Sequence, residues 1–263
     1  MTRPSTVSTL LLKNVSLFAS LSEDQLLLLS NVLQREQFAK NKMILSAGDK
    51  TETLYVVLSG RIKVAIGDDQ GKEVVLAILS AGEYFGEMAL LDGGSRSANV
   101  SALEACELLT LSKHEFHQCL ENNFSMSMIV MRGLVKRLRD ADKKITSLAL
   151  MDVYGRVARL LLEQAESIDG QRTIAKKLAK KDIANMIGAS REMVTRVMKD
   201  LELRGMIQVL PDSIVLNDTL TEFDQGIASS YIHLNKLQSH YLIATGAKAR
   251  VKLASPLPWI EAL

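Results

Sequence analysis

Ser190-Arg191-Glu192-Met193-Val194-Thr195-Arg196-Val197-Met198-Lys199-Asp200-Leu201-Glu202 reads as one capped amphipathic helix. Ser190 has the hydroxyl that a helix N-terminus needs. Val194, Val197, Met198 and Leu201 share one face, and Arg191, Glu192, Thr195, Arg196 and Lys199 share the other. Upstream, Ile183, Ala184 and Ile187 mark a shorter helix, and Gly188-Ala189 supplies a tight turn between the two. Gly205 ends the longer helix, and Ile207–Leu210, Pro211-Asp212 and Ser213–Leu216 follow as a hairpin. Further back, Asp152 can cap a helix expected from Val153 to about Ser167, with a loop at Asp169-Gly170. Residues 150–218 are therefore expected to form a small helical domain with a hairpin at its edge.

Two helices joined by a glycine turn, the second polar on one face, describe a helix-turn-helix with a wing. The chemistry of the polar face suits DNA. A guanidinium fork matches guanine O6 and N7, which fits Arg191 and Arg196, and a carboxylate such as Glu192 accepts from cytosine N4. Thr195 and Lys199 can meet bases or backbone, and Ser190 caps the helix start. Lys176, Lys177, Lys180 and Lys181 precede the motif and either meet phosphates or form a solvated face.

Before this domain, Met131, Leu134, Leu138, Ala141, Ile145 and Leu148 recur at steps of three and four residues. Arg132, Lys136, Arg137, Arg139, Lys143 and Lys144 lie outside that seam. So narrow a stripe suits a two-stranded coiled coil, hence a homodimer; the alternative is one helix packed on its own domain. Residues 113–149 are assigned to this long helix.

From Gln37 to Ser112 the texture is different. Short β-prone runs occur at Met43–Leu45, Leu54–Leu58, Ile62–Ile66, Val74–Leu79, Asn99–Ala102 and Cys106–Leu111. Turn signals separate them, among them Ala47-Gly48-Asp49, Ser59-Gly60, Ala81-Gly82 and Asp92-Gly93-Gly94. Many short strands at close spacing predict an antiparallel roll or barrel over residues 1–112. Residues 22–38 are expected to be helical, started by Ser22.

The chain of 263 residues suffices for two domains and a connector. Its formal charge is +2, but residues 1–112 carry 10 basic and 13 acidic side chains, whereas residues 113–149 carry 7 and 4. An acidic front and a basic back fit nucleic-acid binding by the rear half. No apolar run reaches membrane-spanning length and the N-terminus does not read as a signal peptide, so a cytoplasmic protein is expected. Cys106 and Cys119 are too few for an iron–sulfur cluster, which needs about four thiolates. His114 and His117 stand three apart without a further ligand, so no metal is expected. The phosphate-loop, zinc-protease and nucleophile-elbow signatures of enzymes are missing. Residues 219–263 carry no motif, although Tyr231 to Ile243 could be helical.

The Ser190–Glu202 helix, and Asp152-Val153-Tyr154-Gly155-Arg156-Val157-Ala158, resemble the DNA-binding domain of the Crp/Fnr family of bacterial regulators. The resemblance implies an α+β dimer that binds an inverted repeat with TGTGA-like half-sites and works with RNA polymerase. Arg191 and Arg196 would read guanines and Glu192 a cytosine. A second stretch, Phe85-Gly86-Glu87-Met88-Ala89-Leu90-Leu91-Asp92-Gly93-Gly94-Ser95-Arg96-Ser97-Ala98-Asn99-Val100, resembles the phosphate-binding cassette of cyclic-nucleotide-binding domains. The front half would then be the jelly-roll-type β-roll that holds a cyclic nucleotide effector.

The chemistry of the cassette agrees with that resemblance. A cyclic phosphate needs one guanidinium, Arg96, with the hydroxyl and backbone N–H groups of Ser97 and Ala98. Glu87 can accept from a ribose 2′-OH, beside Gly86 and Met88. The alternative is an Arg96–Glu87 structural ion pair in an empty roll. The family holds its base from the long helix with hydroxyl side chains; the corresponding positions, counted back from Asp152, are Ala141 and Asp142. Ala141 offers no hydrogen bond, and Asp142 offers acceptors, which suit guanine N1–H and N2–H. Cyclic AMP is the first expectation from the cassette, with cyclic GMP and cyclic di-GMP as competitors. A regulatory subunit acting on a protein partner is a further reading, against which the helix-turn-helix argues.

Overall fold

A computed structural model describes residues 7–220. The helix expected over Tyr231–Ile243, and nearly all of the extension 219–263, lie outside them. The chain opens with two helices, α1 (Thr9–Lys13) and α2 (Glu23–Val32). Ser22 starts α2 through a reciprocal capping box: its hydroxyl accepts from the Gln25 N–H, and its own N–H donates to Gln25 Oε1. The helix ends well short of the expected residue 38. Leu33 turns extended, and Gln34–Phe38 form β1. The run Gln34-Arg35-Glu36-Gln37 has no apolar face for a helix to bury, and pairing with a later strand satisfies its backbone instead.

The remaining strands of the roll are β2 (Met43–Leu45), β3 (Thr53–Ser59), β4 (Ile62–Gly67), β5 (Glu73–Leu79) and β6 (Tyr84–Phe85). A short helix α3 (Glu87–Asp92) then intervenes before β7 (Asn99–Ala102) and β8 (Cys106–Ser112). They form two four-stranded antiparallel sheets, β1-β8-β3-β6 and β2-β7-β4-β5. The alternation of side chains along a strand divides the core in two. Val57, Leu108, Ile62 and Val100 fill the space between the sheets. Leu54, Val56, Leu109 and Leu111 point the other way, against a helical layer containing Phe18, Leu26, Phe116 and Met126.

The stretch assigned to one long helix is two: α4 (Lys113–Asn122) and α5 (Phe124–Leu150). Asn123 separates them in an extended conformation, and its side-chain oxygen accepts from the Met126 N–H to cap α5. Met126 and Val130 anchor the start of α5 in the roll's helical layer. Beyond them the seam stands open, with Leu138 63% and Ile145 64% exposed.

The second domain begins at α6 (Val153–Gln164), where Asp152 accepts from the Gly155 N–H. This helix also stops earlier than expected, because Glu166–Ile168 (β9) pairs with Gln171–Ile174 (β10) through a turn at Asp169-Gly170, both at positive φ. The two helices of the motif are α7 (Lys180–Ile187) and α8 (Arg191–Leu203). Gly188 joins them in the left-handed region, and Ser190 caps α8 by accepting from the Met193 N–H. The wing is β11 (Ile207–Val209) paired with β12 (Ile214–Leu216), in a sheet ordered β11-β12-β10-β9. Val157, Leu161, Ile183, Val194 and Leu201 make the core of this domain. Leu201 is fully buried, so Leu201→Ala is expected to destabilise this domain by about 2–5 kcal/mol in chemical denaturation.

Candidate functional site

Arg96 and Glu87 are the two charged side chains buried in the core among the described residues, at 4% and 0% exposure. Ions removed from water must be paired or hydrogen-bonded. Arg96 meets that condition with three short bonds: Nε donates to Thr51 Oγ1 at 2.7 Å, Nη1 to the Gly86 carbonyl at 2.6 Å and Nη2 to the Thr53 carbonyl at 2.6 Å. A guanidinium carries five N–H groups, so one remains on each terminal nitrogen. The Arg96 backbone is fixed as well, its N–H donating to the Asp49 carbonyl and its own carbonyl accepting from Gly48. Burial pulls the guanidinium below its ordinary value, while Tyr55, Glu87 and Asp49 favour the charged form.

Glu87 opens α3, immediately after Gly86. Its Oε1 accepts from Arg137 Nη1 at 2.6 Å, and Arg137 Nη2 donates to the Tyr84 carbonyl at 2.7 Å. The same guanidinium lies 5.5 Å from the centre of the Tyr84 ring. Glu87 Oε2 is buried and has no partner. Burial pushes the carboxyl above its ordinary value; Arg137, a backbone bond and Arg96 oppose the rise. Arg137 was visible in the sequence only as one cation in a basic run. Its role comes from α5 crossing the cassette. Gly133, one helical turn earlier, permits that crossing, since a Cβ there would fall on the Tyr84 hydroxyl.

Gly86 is required for two reasons. Its φ is +87°, and a Cβ would lie 2.7 Å from Arg96 Nη1. Gly86, Glu87, Met88, Arg96, Ser97 and Ala98 all line one cavity of about 930 Å3. Asp142 is not among its lining residues and is exposed on α5, whereas Ala141 does line it. One step along a helix rotates the side chain by about 100°, which turns Asp142 out of the cavity that Ala141 faces.

The second helix of the motif, α8, has one polar face. Arg191, Glu192, Thr195, Arg196 and Lys199 are exposed together on one side, while Val194, Val197, Met198 and Leu201 are buried on the other. The Thr195 hydroxyl donates to the Arg191 carbonyl at 2.8 Å. Hydrogen bonds from its own backbone and from Ser190 hold the Glu192 carboxyl below the usual range. Met193, 40% exposed beside these groups, adds an apolar surface that the sequence reading did not single out. Of the four lysines upstream, Lys176 pairs with Glu104 at 2.7 Å and Lys177 donates to the Leu210 carbonyl, while Lys180 and Lys181 are exposed at the start of α7. His117 bonds the Leu90 carbonyl, and no metal-holding group of three His, Cys, Asp or Glu occurs among the described residues. Nor is any helix there long and apolar enough to cross a membrane.

A β-roll with a buried arginine and glutamate, joined by a long helix to a winged helix-turn-helix, defines a two-domain class of DNA-binding regulator. Residues 35–123 match the cyclic nucleotide-binding domain family, and residues 155–219 match the Crp-like helix-turn-helix domain family. The cAMP-activated global transcriptional regulator CRP of Haemophilus influenzae is 34% identical over 184 residues, covering 68% of this chain and 82% of that protein. The cAMP-activated global transcriptional regulator Vfr of Pseudomonas aeruginosa is 33% identical over 192 residues, covering 70% and 90%. Among solved structures, the c-di-GMP responsive global regulator CLP of Xanthomonas campestris superposes with a TM-score of 0.59 at 27% identity, covering 70% of this chain and 94% of that one. The chain belongs to the Crp/Fnr family of DNA-binding transcription regulators, which are not enzymes.

Because the folded state favours the proton on Glu87, the stability this confers is present below the ordinary glutamate value, about 4.3, and is lost as pH rises through the raised one. Glu87→Gln removes the titration. Urea melts from about pH 4 upward are expected to show the parent losing stability relative to this variant.

Proposed function

We propose that this regulator's affinity for its operator is controlled by a cyclic nucleotide bound in the β-roll. The observation that carries the reading is that Arg96 and Glu87 stand in the wall of one cavity, held by other partners and each with bonding capacity left over. The remaining N–H groups of Arg96 suit a phosphodiester, assisted by Ser97 and the backbone at Ala98. Glu87 Oε2 suits a ribose 2′-OH, with Gly86 and Met88 alongside. Cyclic AMP is the first mononucleotide candidate, with cyclic GMP its competitor, because two similar regulators are described as cAMP-activated. Cyclic di-GMP is the dinucleotide candidate. Ala141 offers an adenine no hydrogen bond, the cavity is large, and the similar Xanthomonas regulator is described as c-di-GMP responsive.

The open stripe Met131, Leu138, Ile145 and Leu148 on α5, with Leu134 half-buried against the roll, supports a homodimer. Two-fold symmetry would set two copies of α8 on inverted TGTGA-like half-sites about one helical turn apart. There Arg191, Glu192 and Arg196 read base edges, and Thr195, Lys199 and the Ser190 helix start meet base or backbone. Ligand in the roll touches α5, and the hinge at Leu148–Asp152 passes its orientation to α6–α8. Only a difference in ligand affinity between the two domain arrangements can drive such a switch. The protein acts with RNA polymerase, where the DNA is, in the cytoplasm.

Titration calorimetry tests the sensor. Arg96→Gln should weaken nucleotide binding by roughly ten- to a hundredfold, the worth of a charge-assisted bond of about 1.5–3 kcal/mol. Unaltered binding by that variant would show that the phosphate lies elsewhere. In gel shifts, Arg191→Ala and Arg196→Ala should each cost about 1–3 kcal/mol on an inverted-repeat probe and relax its sequence preference. Leu138→Glu with Ile145→Glu should convert the sedimenting species from dimer to monomer.

A further inference from the structure

Two polar junctions join the DNA-binding domain to the roll. In one, Asp182 and Asn185 of α7 meet Lys63 at 4.0 Å and Glu73 at 3.2 Å. The other is built from two turns of the roll, the β3–β4 turn with Arg61 and the β7–β8 turn with Glu104. Gly60, at φ +83°, lets these turns lie together, because a Cβ there would fall 2.5 Å from the Ala105 carbonyl oxygen and 2.7 Å from Cys106 Sγ. The backbone beneath both side chains is fixed. The buried Cys106 thiol lies 3.2 Å from the Arg61 carbonyl oxygen and 3.1 Å from that of Glu104, and the Leu103 N–H donates to the Arg61 carbonyl at 2.9 Å.

On this base Arg61 Nη2 donates to Glu104 Oε2 at 3.4 Å, and Glu104 Oε1 accepts from Lys176 Nζ at 2.7 Å. The Lys176 bond, with Arg61 assisting, holds the Glu104 carboxyl below the usual carboxylate range. Arg61 also reaches the backbone. Its Nη1 donates to the Lys176 carbonyl at 3.3 Å, and the N–H of the same peptide unit, that of Lys177, donates to the Asp212 carbonyl at 2.8 Å. Lys177 Nζ donates to the Leu210 carbonyl at 3.2 Å. One peptide unit thus stands between the roll and the turn of the wing. Arg61 Nε is buried without a partner, so the guanidinium is held in the junction at the cost of one unmade bond.

The DNA-binding domain therefore has three attachments: the covalent link at Met151–Asp152, α7, and the Lys176–Lys177 peptide. A body tied at two points can swing about the line between them, and a third tie on the wing side stops that swing. None of these ties uses the reading face. Arg191, Glu192, Thr195, Arg196 and Lys199 stay exposed, as do Lys180 and Lys181. The docked domain is oriented without being covered.

We propose that Arg61 and Glu104 are positioning residues for operator recognition: through the Lys176–Lys177 peptide they fix the angle at which each DNA-binding domain, wing included, meets its half-site. The proposal rests on the homodimer reading made above, in which two such domains must meet half-sites about one helical turn apart. One added base pair turns the second half-site by about 35° and moves it by about 3.4 Å. A clamped pair of domains cannot follow that change, whereas an unclamped pair can.

Fluorescence anisotropy with the full chain tests this. The duplexes carry one TGTGA-like half-site, or two as an inverted repeat at the parent's best spacing and with two base pairs added. Each is measured with and without cyclic AMP, and the tighter condition is compared. The parent should lose at least about tenfold on the longer spacer, since one of its two contacts is then out of reach. Arg61→Gln with Glu104→Gln should bind the best repeat about threefold more weakly than the parent, yet lose no more than about threefold on the longer spacer. Its affinity for the single half-site should stay within about twofold of the parent's, because α8 is untouched. A general loss of stability would instead weaken every probe alike. If the double variant melts at a lower temperature, Glu104→Gln alone should still cut the spacing penalty to about half or less. A spacing penalty equal to the parent's in both variants, or tighter binding of the best repeat by the double variant, would overturn the positioning role. A parent that sediments as a monomer, ignores spacing or binds none of the repeats would sink the homodimer and half-site reading, and this proposal with it.

Discussion

Two buried charges of opposite sign organise the front half of the molecule. Arg96 and Glu87 each give up the solvation of water, a penalty of several kcal/mol per ion unless the protein replaces it. The replacements come from distant parts of the chain. Arg96 ties together Thr51, Thr53 and Gly86, and its backbone clamps the Gly48-Asp49 turn. Glu87 draws in Arg137, which binds α5 to β6 through the Tyr84 carbonyl. The cassette is therefore both the wall of the cavity and the fastening of the long helix.

The contacts between the two domains are of another kind. Lys63 bonds Glu73 at 2.7 Å, Glu73 accepts from Asn185 of α7 at 3.2 Å, and Asp182 of α7 stands 4.0 Å from Lys63. Nearby, Glu104 meets Arg61 at 3.4 Å and Lys176 at 2.7 Å, and Arg61 donates to the Lys176 carbonyl. Lys176 is exposed, but the other charged partners are largely shielded, so the desolvation of each ion offsets much of the attraction it gains. These polar pairs help to define the arrangement of the two domains.

Where local chemistry and tertiary demand agreed, the residues could be read directly. Runs such as Leu54–Leu58 and Cys106–Leu111 are strands because both of their faces are buried, one between the sheets and one against the helices. Asp152, Gly188, Ser190 and Gly205 do what their side chains, or the lack of one, suggest. The differences arise where pairing partners lie far away in sequence. Gln34–Phe38 is a strand only because β8 stands beside it, and Glu166–Ile168 only because β10 does. Asn123 looked like one more polar residue in a long helix, yet its amide starts a new one. Arg137 was one of several cations on α5, and only the approach of α5 to the cassette distinguishes it. Glu87, directly before the apolar run Met88-Ala89-Leu90-Leu91, is a carboxylate that burial obliges to find a cation, and its source is not encoded locally.

Control of the operator by the β-roll requires the cavity and the recognition helix to be thermodynamically linked. Fluorescence anisotropy of a labelled inverted-repeat duplex reads that link directly, at fixed salt because phosphate contacts make affinity salt-dependent. With cyclic nucleotide added to saturation, the dissociation constant of the parent protein for this duplex should change by at least about fivefold, the lower end of allosteric coupling. An unchanged constant, with calorimetry showing the nucleotide bound, would contradict it.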